Sequence, residues 1–231
     1  DDLSNICKSA TIRRRVNSLG TIFKLSRNPD PTKGPEVVLA IKRMHRKIGR
    51  QQTQATPLTR SKLEELLSKC PESMRGLRNQ IILLLGYETM RRRAELCAFR
   101  FEDLTDLAGR GAALRLVKSK TDQEAVTKLI PVSPRLKEKI ALWQNYAKID
   151  GVILRSVDRH WNVGPKLSAG AIGPIINSIT NADIASERAV RYSGHSFRVG
   201  AALDLLDQNE TLDRIMLRGG WKTESSVMRY L

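Results

Sequence analysis

Near its C-terminal end the chain reads Gly194-His195-Ser196-Phe197-Arg198-Val199-Gly200, then Arg218-Gly219-Gly220-Trp221, and then Tyr230. A His and an Arg three residues apart on the first turn of a helix lie on one face, so both can donate hydrogen bonds to one phosphate. Tyr230 supplies a hydroxyl nucleophile. A tyrosine that attacks a phosphodiester while cationic groups hold the developing charge is a phosphoryl-transfer site. This stretch therefore predicts cleavage and rejoining of DNA strands.

The composition also favours a nucleic-acid partner. The 231 residues include 40 Lys+Arg and 24 Asp+Glu, a formal net charge of +16 at pH 7. The electric field of such a positive charge attracts double-stranded DNA, and the attraction weakens as the salt concentration rises. No stretch approaches the roughly 20 apolar residues that cross a bilayer. We therefore expect no membrane partner and a location in the cytoplasm at the nucleoid, or in the nucleus of a eukaryotic host.

Two amphipathic helices with basic outer faces are predicted in residues 1–49. Their apolar residues recur at helical spacing, and a Pro-containing stretch at residues 28–31 separates them. Two helices make a thin core, so we expect this part to be the end of a larger helical DNA-binding domain. The two predicted apolar stripes are Ile12, Val16, Leu19 and Phe23, and Val37, Ile41, Met44 and Ile48. The candidate DNA-binding residues are Arg13, Arg14, Arg15, Lys42, Arg43, Arg46 and Lys47.

Residues 50–57 lack apolar periodicity and end in Pro57, which predicts an interdomain linker before a larger domain at residues 58–231. That domain is expected to be mainly α with a small antiparallel β-sheet. Thr59 is positioned to cap the first helix. Strands are predicted at residues 112–118 and 125–132, with Pro131 at the end of its strand or on a sheet edge. Further helices are predicted at residues 74–87, 134–147, 168–179, 196–206, 211–217 and 223–230.

Other residues in this larger domain carry chemistry only in combination. Residues 91–96 read Arg-Arg-Arg-Ala-Glu-Leu, in which one arginine can turn inward to a phosphate while Glu95 orients it. Lys120 lies in the turn between the predicted strands, where its ammonium can protonate a leaving oxygen. Taken singly, the three arginines form a basic surface run and Lys120 is a solvated lysine. Trp221 and Tyr230, taken singly, are packing aromatics.

The order of these residues along the chain resembles the tyrosine recombinase, or phage integrase, family. It runs Arg-x-x-Glu, a lysine in a hairpin turn, His-x-x-Arg, Gly-Gly-Trp, and a tyrosine nine residues after Trp221. The Gly-Gly-Trp variant is similar to Cre-like members of the family. The resemblance extends over most of residues 59–231, and residues 1–49 are similar to the end of that family's core-binding domain.

The resemblance implies a role for each matching residue. Arg92 and Arg198 would clamp the scissile phosphate, and Glu95 would support Arg92 without touching DNA. His195 would stabilise the transition state and accept the tyrosine proton, and Trp221 would donate a hydrogen bond to the phosphate. Lys120 would be the general acid that protonates the leaving 5′ oxygen, and Tyr230 would form the 3′-phosphotyrosyl link.

The implied reaction conserves bond energy in the phosphotyrosine. A 5′ hydroxyl from another strand can therefore rejoin the DNA without ATP, metal or any other cofactor. The resemblance also implies a homo-oligomer, from dimer to tetramer, on the DNA target site.

Several alternatives stay open at this point. Lys118 is an alternative to Lys120, and Arg91 is an alternative to Arg92. The second ambiguity arises because family members usually have Gly two residues before the first catalytic arginine, where this chain has Met90. A type IB topoisomerase-like relaxation activity would use similar residues. A basic DNA-binding protein without catalysis, in which Tyr230 merely packs, is the remaining rival.

Overall fold

The computed structural model describes residues 3–50, 54–107, 111–116, 128–180 and 191–231. The chain divides into two compact units, Asp1–Gln54 and Ala55–Leu231. The boundary between the units lies within residues 50–57, the segment that the sequence predicts as a linker. Within the described ranges no helix combines the length and the apolar character needed to span a membrane.

The first unit is helical, and its helices present their basic residues to solvent. Ile12 and Met44 are buried, whereas Leu19 is 49% and Ile48 is 37% exposed, so the prediction that these two residues belong to the buried stripes is wrong. One neighbouring helix covers only a narrow strip of the helix that carries Leu19. All seven candidate DNA-binding residues are exposed. The helices are α1 (Leu3–Ile6), α2 (Ser9–Leu25) and α3 (Pro35–Ile48).

The second unit is mainly α with a small antiparallel sheet, which confirms the predicted fold class. Its helices are α4 (Arg60–Ser68), α5 (Met74–Thr89), α6 (Arg93–Leu96), α7 (Pro134–Ala147), α8 (Ile172–Ile179), α9 (Gly194–Asp207), α10 (Leu212–Gly219) and α11 (Glu224–Val227). Thr59 is the residue before α4, but its side chain makes no capping hydrogen bond. The helix predicted at residues 223–230 ends early. Tyr230 lies in a tight turn after α11, where its N–H donates to the carbonyl of Val227 at 2.8 Å.

The sheet has three strands, β1 (Leu104–Leu107), β2 (Gly111–Leu116) and β3 (Lys128–Val132), in the order β1-β2-β3. Pro131 lies on the edge strand β3 opposite Ala113, which confirms the prediction for this proline. The sequence analysis missed β1, because its four residues include Thr105 and Asp106 and show no apolar alternation. The turn that carries Lys120 lies outside the described residues.

Helix α5 lies in the core and fixes the position of α9. Residues 81–85 of α5 are all buried. The two helices approach closely where a methyl group on Gly86 would lie 2.5 Å from the ring of Phe197. Farther along α9, a methyl group on Gly200 would overlap the backbone of Leu58, so α9 is also held against the start of this unit. The C-terminal end of α5 therefore lies beside the first turns of α9.

A second, smaller apolar cluster forms where α5 ends and α9, α10 and α11 meet. Its buried members are Met90, Ala201, Ala202, Ile215, Trp221 and Val227. Tyr230 packs against this cluster from the turn after α11. The cluster thus holds the tyrosine and the tryptophan of the sequence motif together beside α9.

Candidate active site

The N-terminus of α9 presents His195 and Arg198. Ser193 precedes the helix and caps it: its hydroxyl accepts from the N–H of His195 at 3.2 Å, and its own N–H donates to the hydroxyl of Ser196 at 2.9 Å. His195 is exposed at the surface, whereas Arg198, one turn later, is buried with only 2% of its surface exposed. The two residues of the motif therefore line the same end of the helix at different depths.

The buried guanidinium of Arg198 is held by a backbone carbonyl and an aromatic ring. Its Nη1 donates a hydrogen bond to the carbonyl oxygen of Met90. Its central carbon lies 4.5 Å from the centroid of the Trp221 ring, a cation–π contact. Burial, followed by the charge of Arg92, lowers the pKa of Arg198 to about 10. The side chain is therefore still charged at neutral pH.

Arg92 and Glu95 form a local pair at the start of α6. The carboxylate of Glu95, which is 7% exposed, accepts from the backbone N–H of Arg92 at 3.1 Å. Its other oxygen accepts from Nη1 of Arg92 at 3.2 Å. Glu95 thereby fixes both the backbone and the side chain of Arg92, and the Arg92 side chain remains partly exposed.

Arg91 and Arg92 are neighbours in sequence, but their side chains have different surroundings. Arg91 is 4% exposed, and its guanidinium donates to two backbone carbonyls, those of Thr89 and Arg218. The positive charge of Arg92 contributes to lowering the pKa of both His195 and Arg198. Arg92 thus combines partial exposure with proximity to the two motif residues of α9.

The Gly-Gly-Trp motif places an aromatic ring against the turn that precedes it. A methyl group on Gly219 would overlap the ring of Trp221, so the ring packs directly on the glycine backbone. Gly220 adopts a φ of +68°, a left-handed conformation that glycine adopts without steric cost. The centroid of the Tyr230 ring lies 5.5 Å from that of Trp221 and 6.3 Å from that of His195. The Tyr230 ring is therefore close to both the tryptophan and the histidine.

Met90 contributes a site feature that the sequence analysis missed. It has φ +52° and ψ +30°, it ends α5, and it is fully buried. The left-handed conformation costs a non-glycine residue roughly 1 kcal/mol, whereas burial of a methionine side chain contributes about 1.5–3 kcal/mol. The φ value explains why glycine suits this position in the family that the sequence resembles. In the sequence, Met90 stands out only because it lies two residues before Arg92. Nothing in the sequence shows that its carbonyl accepts a hydrogen bond from Arg198.

The electrostatics of the site favour an anionic ligand. Partial desolvation of the ring, followed by the charges of Arg198, Arg93 and Arg92, lowers the pKa of His195 below its ordinary value. This shift favours the neutral imidazole, the form that can accept a proton. A phosphate that binds among these clustered cations would compensate their positive charge.

The structure brings together Arg92, Glu95, His195, Arg198, Trp221 and Tyr230 in the second unit. Lys120 and its alternative, Lys118, lie outside the described residues. The seven candidate DNA-binding residues belong to the first unit.

Comparison with known proteins gives consistent matches to one family. The model of the phage integrase family matches residues 56–231. Recombinase Cre of Escherichia phage P1 is 24% identical to this chain over 239 residues, covering 96% of this chain and 70% of that protein. An integrase/recombinase XerD homolog of Selenomonas ruminantium is 26% identical over 245 residues, covering 100% of this chain and 70% of that protein.

Solved structures show the same fold. A Tn1549 transposon integrase in complex with transposon right-end DNA superposes with a TM-score of 0.67 at 14% identity, covering 97% of this chain and 75% of that chain. A lambda integrase dimer bound to a COC′ core site superposes with a TM-score of 0.64 at 17% identity, covering 96% of this chain and 59% of that chain.

The surroundings of His195 predict its titration. In an NMR pH titration, the imidazole of His195 should titrate below the ordinary value of 6.5. Arg198→Met should move the midpoint upward, because it removes a neighbouring positive charge. Arg115→Met, which removes an exposed arginine on β2, is the matched control and should leave the midpoint in place. His195→Gln identifies the resonance, and a parental midpoint at or above 6.5 would contradict the described electrostatics.

Proposed function

The chain belongs to the phage integrase family, and on that premise we propose that it is a site-specific DNA recombinase whose nucleophile is Tyr230. The resemblance to Cre-like tyrosine recombinases is confirmed by the family match and by the named relatives. The observation that carries the assignment of the nucleophile is that the Tyr230 ring lies close to both His195 and the Trp221 ring that stacks on Arg198. Because the named relatives are recombinases, recombination is favoured over topoisomerase-like relaxation.

Arg92 and Arg198 counter the electrostatic repulsion that makes the phosphodiester unreactive. A phosphodiester is a poor electrophile because its negative oxygens repel an incoming nucleophile. In the proposed mechanism Arg92 and Arg198 donate to these oxygens and neutralise the charge that builds up in the pentavalent transition state. The indole N–H of Trp221 adds a third donor. Arg92 is assigned in preference to Arg91, because the Arg91 guanidinium is committed to two backbone carbonyls.

Strand exchange consists of two successive phosphoryl transfers. The hydroxyl oxygen of Tyr230 attacks phosphorus, its proton passes to neutral His195, and the bond from phosphorus to the 5′ oxygen breaks. Lys120 protonates that leaving oxygen, so the products are a 3′-phosphotyrosyl link and a free 5′ hydroxyl. In the second transfer a 5′ hydroxyl of another strand gives its proton to the now neutral Lys120 and attacks the same phosphorus, the bond from phosphorus to the Tyr230 oxygen breaks, and that oxygen takes back the proton held by His195. No net bond energy is lost, so no nucleotide cofactor is consumed.

The proposed partner is a double-stranded DNA target site that both units bind. We assign residues 1–49 to the end of a core-binding domain, residues 50–57 to a linker and residues 58–231 to the catalytic domain. The seven candidate DNA-binding residues of the first unit are exposed and suited to contact phosphates. We further propose a homo-oligomer, from dimer to tetramer, that assembles on DNA at the nucleoid, or in the nucleus of a eukaryotic host.

The nucleophile assignment predicts the behaviour of Tyr230→Phe. This variant should bind DNA nearly as well as the parent but form no covalent complex, because only the attacking hydroxyl is lost. A nicked suicide substrate with a labelled strand, analysed on a denaturing gel, measures the covalent product. Tyr146→Phe, at an exposed tyrosine on α7, is the matched control and should react like the parent. A covalent product from Tyr230→Phe would overturn the assignment.

The general-acid assignment predicts a substrate-dependent defect for Lys120→Ala. This variant should cleave a normal substrate slowly, but a 5′-thio substrate at close to the parental rate, because a thiolate leaves without being protonated. The comparison requires cleavage rates on both substrates, with Lys118→Ala as the matched variant. Equal defects of Lys120→Ala on the two substrates would exclude it as the acid, and rescue of Lys118→Ala instead would assign the role to Lys118.

A further inference from the structure

Arg91 is a buried cation that the proposed reaction does not use. Its side chain extends from the segment after α5 to the end of α10, two elements that are distant in sequence. Its Nε donates to the carbonyl of Thr89 at 2.9 Å, and its Nη2 donates to the carbonyl of Arg218. One rigid guanidinium thereby joins the backbone just before Met90 to the backbone just before the Gly-Gly-Trp turn.

The residues at both ends of this link lead directly to the Arg198 site. At one end, Thr89 precedes Met90, whose carbonyl accepts a hydrogen bond from Arg198. At the other end, Arg218 precedes the two glycines of the turn that brings the Trp221 ring against the guanidinium of Arg198. Gly220 also packs on Arg91, since a methyl group there would lie 2.5 Å from its Nη1. Arg91 thus spans the two backbone segments that hold Arg198 from opposite directions.

The chemistry of the link requires an arginine. Guanidinium N–H groups lie in a fixed plane and can donate to two carbonyls in different directions, whereas a lysine ammonium is a point donor on a flexible stem. A carbonyl at the C-terminal end of a helix also has no partner within the helix, and a cation there is favourable.

From this geometry we propose that Arg91 is a positioning residue, which holds the Gly-Gly-Trp turn so that Trp221 stacks on Arg198 beside Tyr230. The proposal rests on the proposed recombinase function for its effect on activity. It also makes a structural claim about the Trp221 ring that is independent of activity. Arg91 touches neither the phosphate nor the nucleophile in this account.

The activity test is a double-mutant cycle between Arg91→Met and Trp221→Phe. With saturating suicide substrate, Arg91→Met should lower the rate of covalent complex formation by about tenfold or more, while the DNA dissociation constant changes little. In the Trp221→Phe background, Arg91→Met should cause little further loss, because the indole ring and the N–H donor that it positions are already gone. If Arg91→Met lowers the rate of covalent complex formation by the same factor in both backgrounds, the proposal is overturned.

The structural test is ¹⁹F NMR of protein labelled with 5-fluorotryptophan, without DNA. The chain has three tryptophans, and Trp221→Phe identifies the resonance of Trp221. Arg91→Met should shift that resonance and leave those of Trp143, buried in the larger core, and Trp161, exposed at the surface, unmoved. Arg214→Met removes an exposed arginine of α10 and is the matched control, which should leave all three resonances and the cleavage rate at parental values.

A further variant keeps the proposal testable if Arg91→Met does not fold. Arg91→Lys retains the positive charge but cannot bridge both carbonyls, so it should shift the Trp221 resonance and cleave more slowly than the parent. Parental spectra and rates for Arg91→Lys would overturn the proposal. If the parent protein forms no covalent complex, the recombinase assignment fails, whereas an unmoved Trp221 resonance in the Arg91 variants refutes only the positioning role.

Discussion

The site depends on keeping the guanidinium of Arg198 charged inside the protein. Burying an unpaired cation is costly, and the structure offsets this cost with the hydrogen bond that Arg198 donates to the Met90 carbonyl and with the face of the Trp221 ring. Each of these partners imposes its own local constraint. Met90 adopts a left-handed backbone conformation, and Trp221 packs on a pair of glycines. The conformations of these segments are therefore linked to one buried charge.

The carbonyl of Met90 and the ring of Trp221 are neutral, so neither compensates the charge of Arg198. Arg92 lies near enough to lower the pKa of Arg198, and the carboxylate of Glu95 accepts hydrogen bonds from Arg92. A phosphate placed among these groups gains strong charge-assisted hydrogen bonds, and gains more as its charge increases during attack. The arrangement is thus suited to bind a phosphodiester most tightly in its transition state.

The sequence predicted the main elements of the second unit, because helix periodicity and proline positions are local properties. It also identified the residues that meet in the site, because their order along the chain resembles a known family. It failed where packing decides the outcome, as in the exposure of Leu19 and the early end of the last helix before Tyr230. It left Arg91 and Arg92 as alternatives, since adjacent arginines look the same until the fold shows which one is bound to backbone carbonyls. The carbonyl of Met90 was also beyond prediction, because any residue at that position supplies the same group.

The central claim is that the buried guanidinium of Arg198 neutralises the negative charge of the scissile phosphate. The most direct measurement compares cleavage by the parent and by Arg198→Ala on two suicide substrates, one with a normal phosphate and one with an uncharged methylphosphonate at the scissile position. The account predicts that Arg198→Ala slows cleavage by a factor on the order of 10² or more on the phosphate. On the methylphosphonate, which is uncharged before attack and therefore develops one negative charge less in the transition state, it predicts a much smaller loss. An equally large loss on both substrates would contradict the claim and would make Arg198 a residue that only maintains the fold.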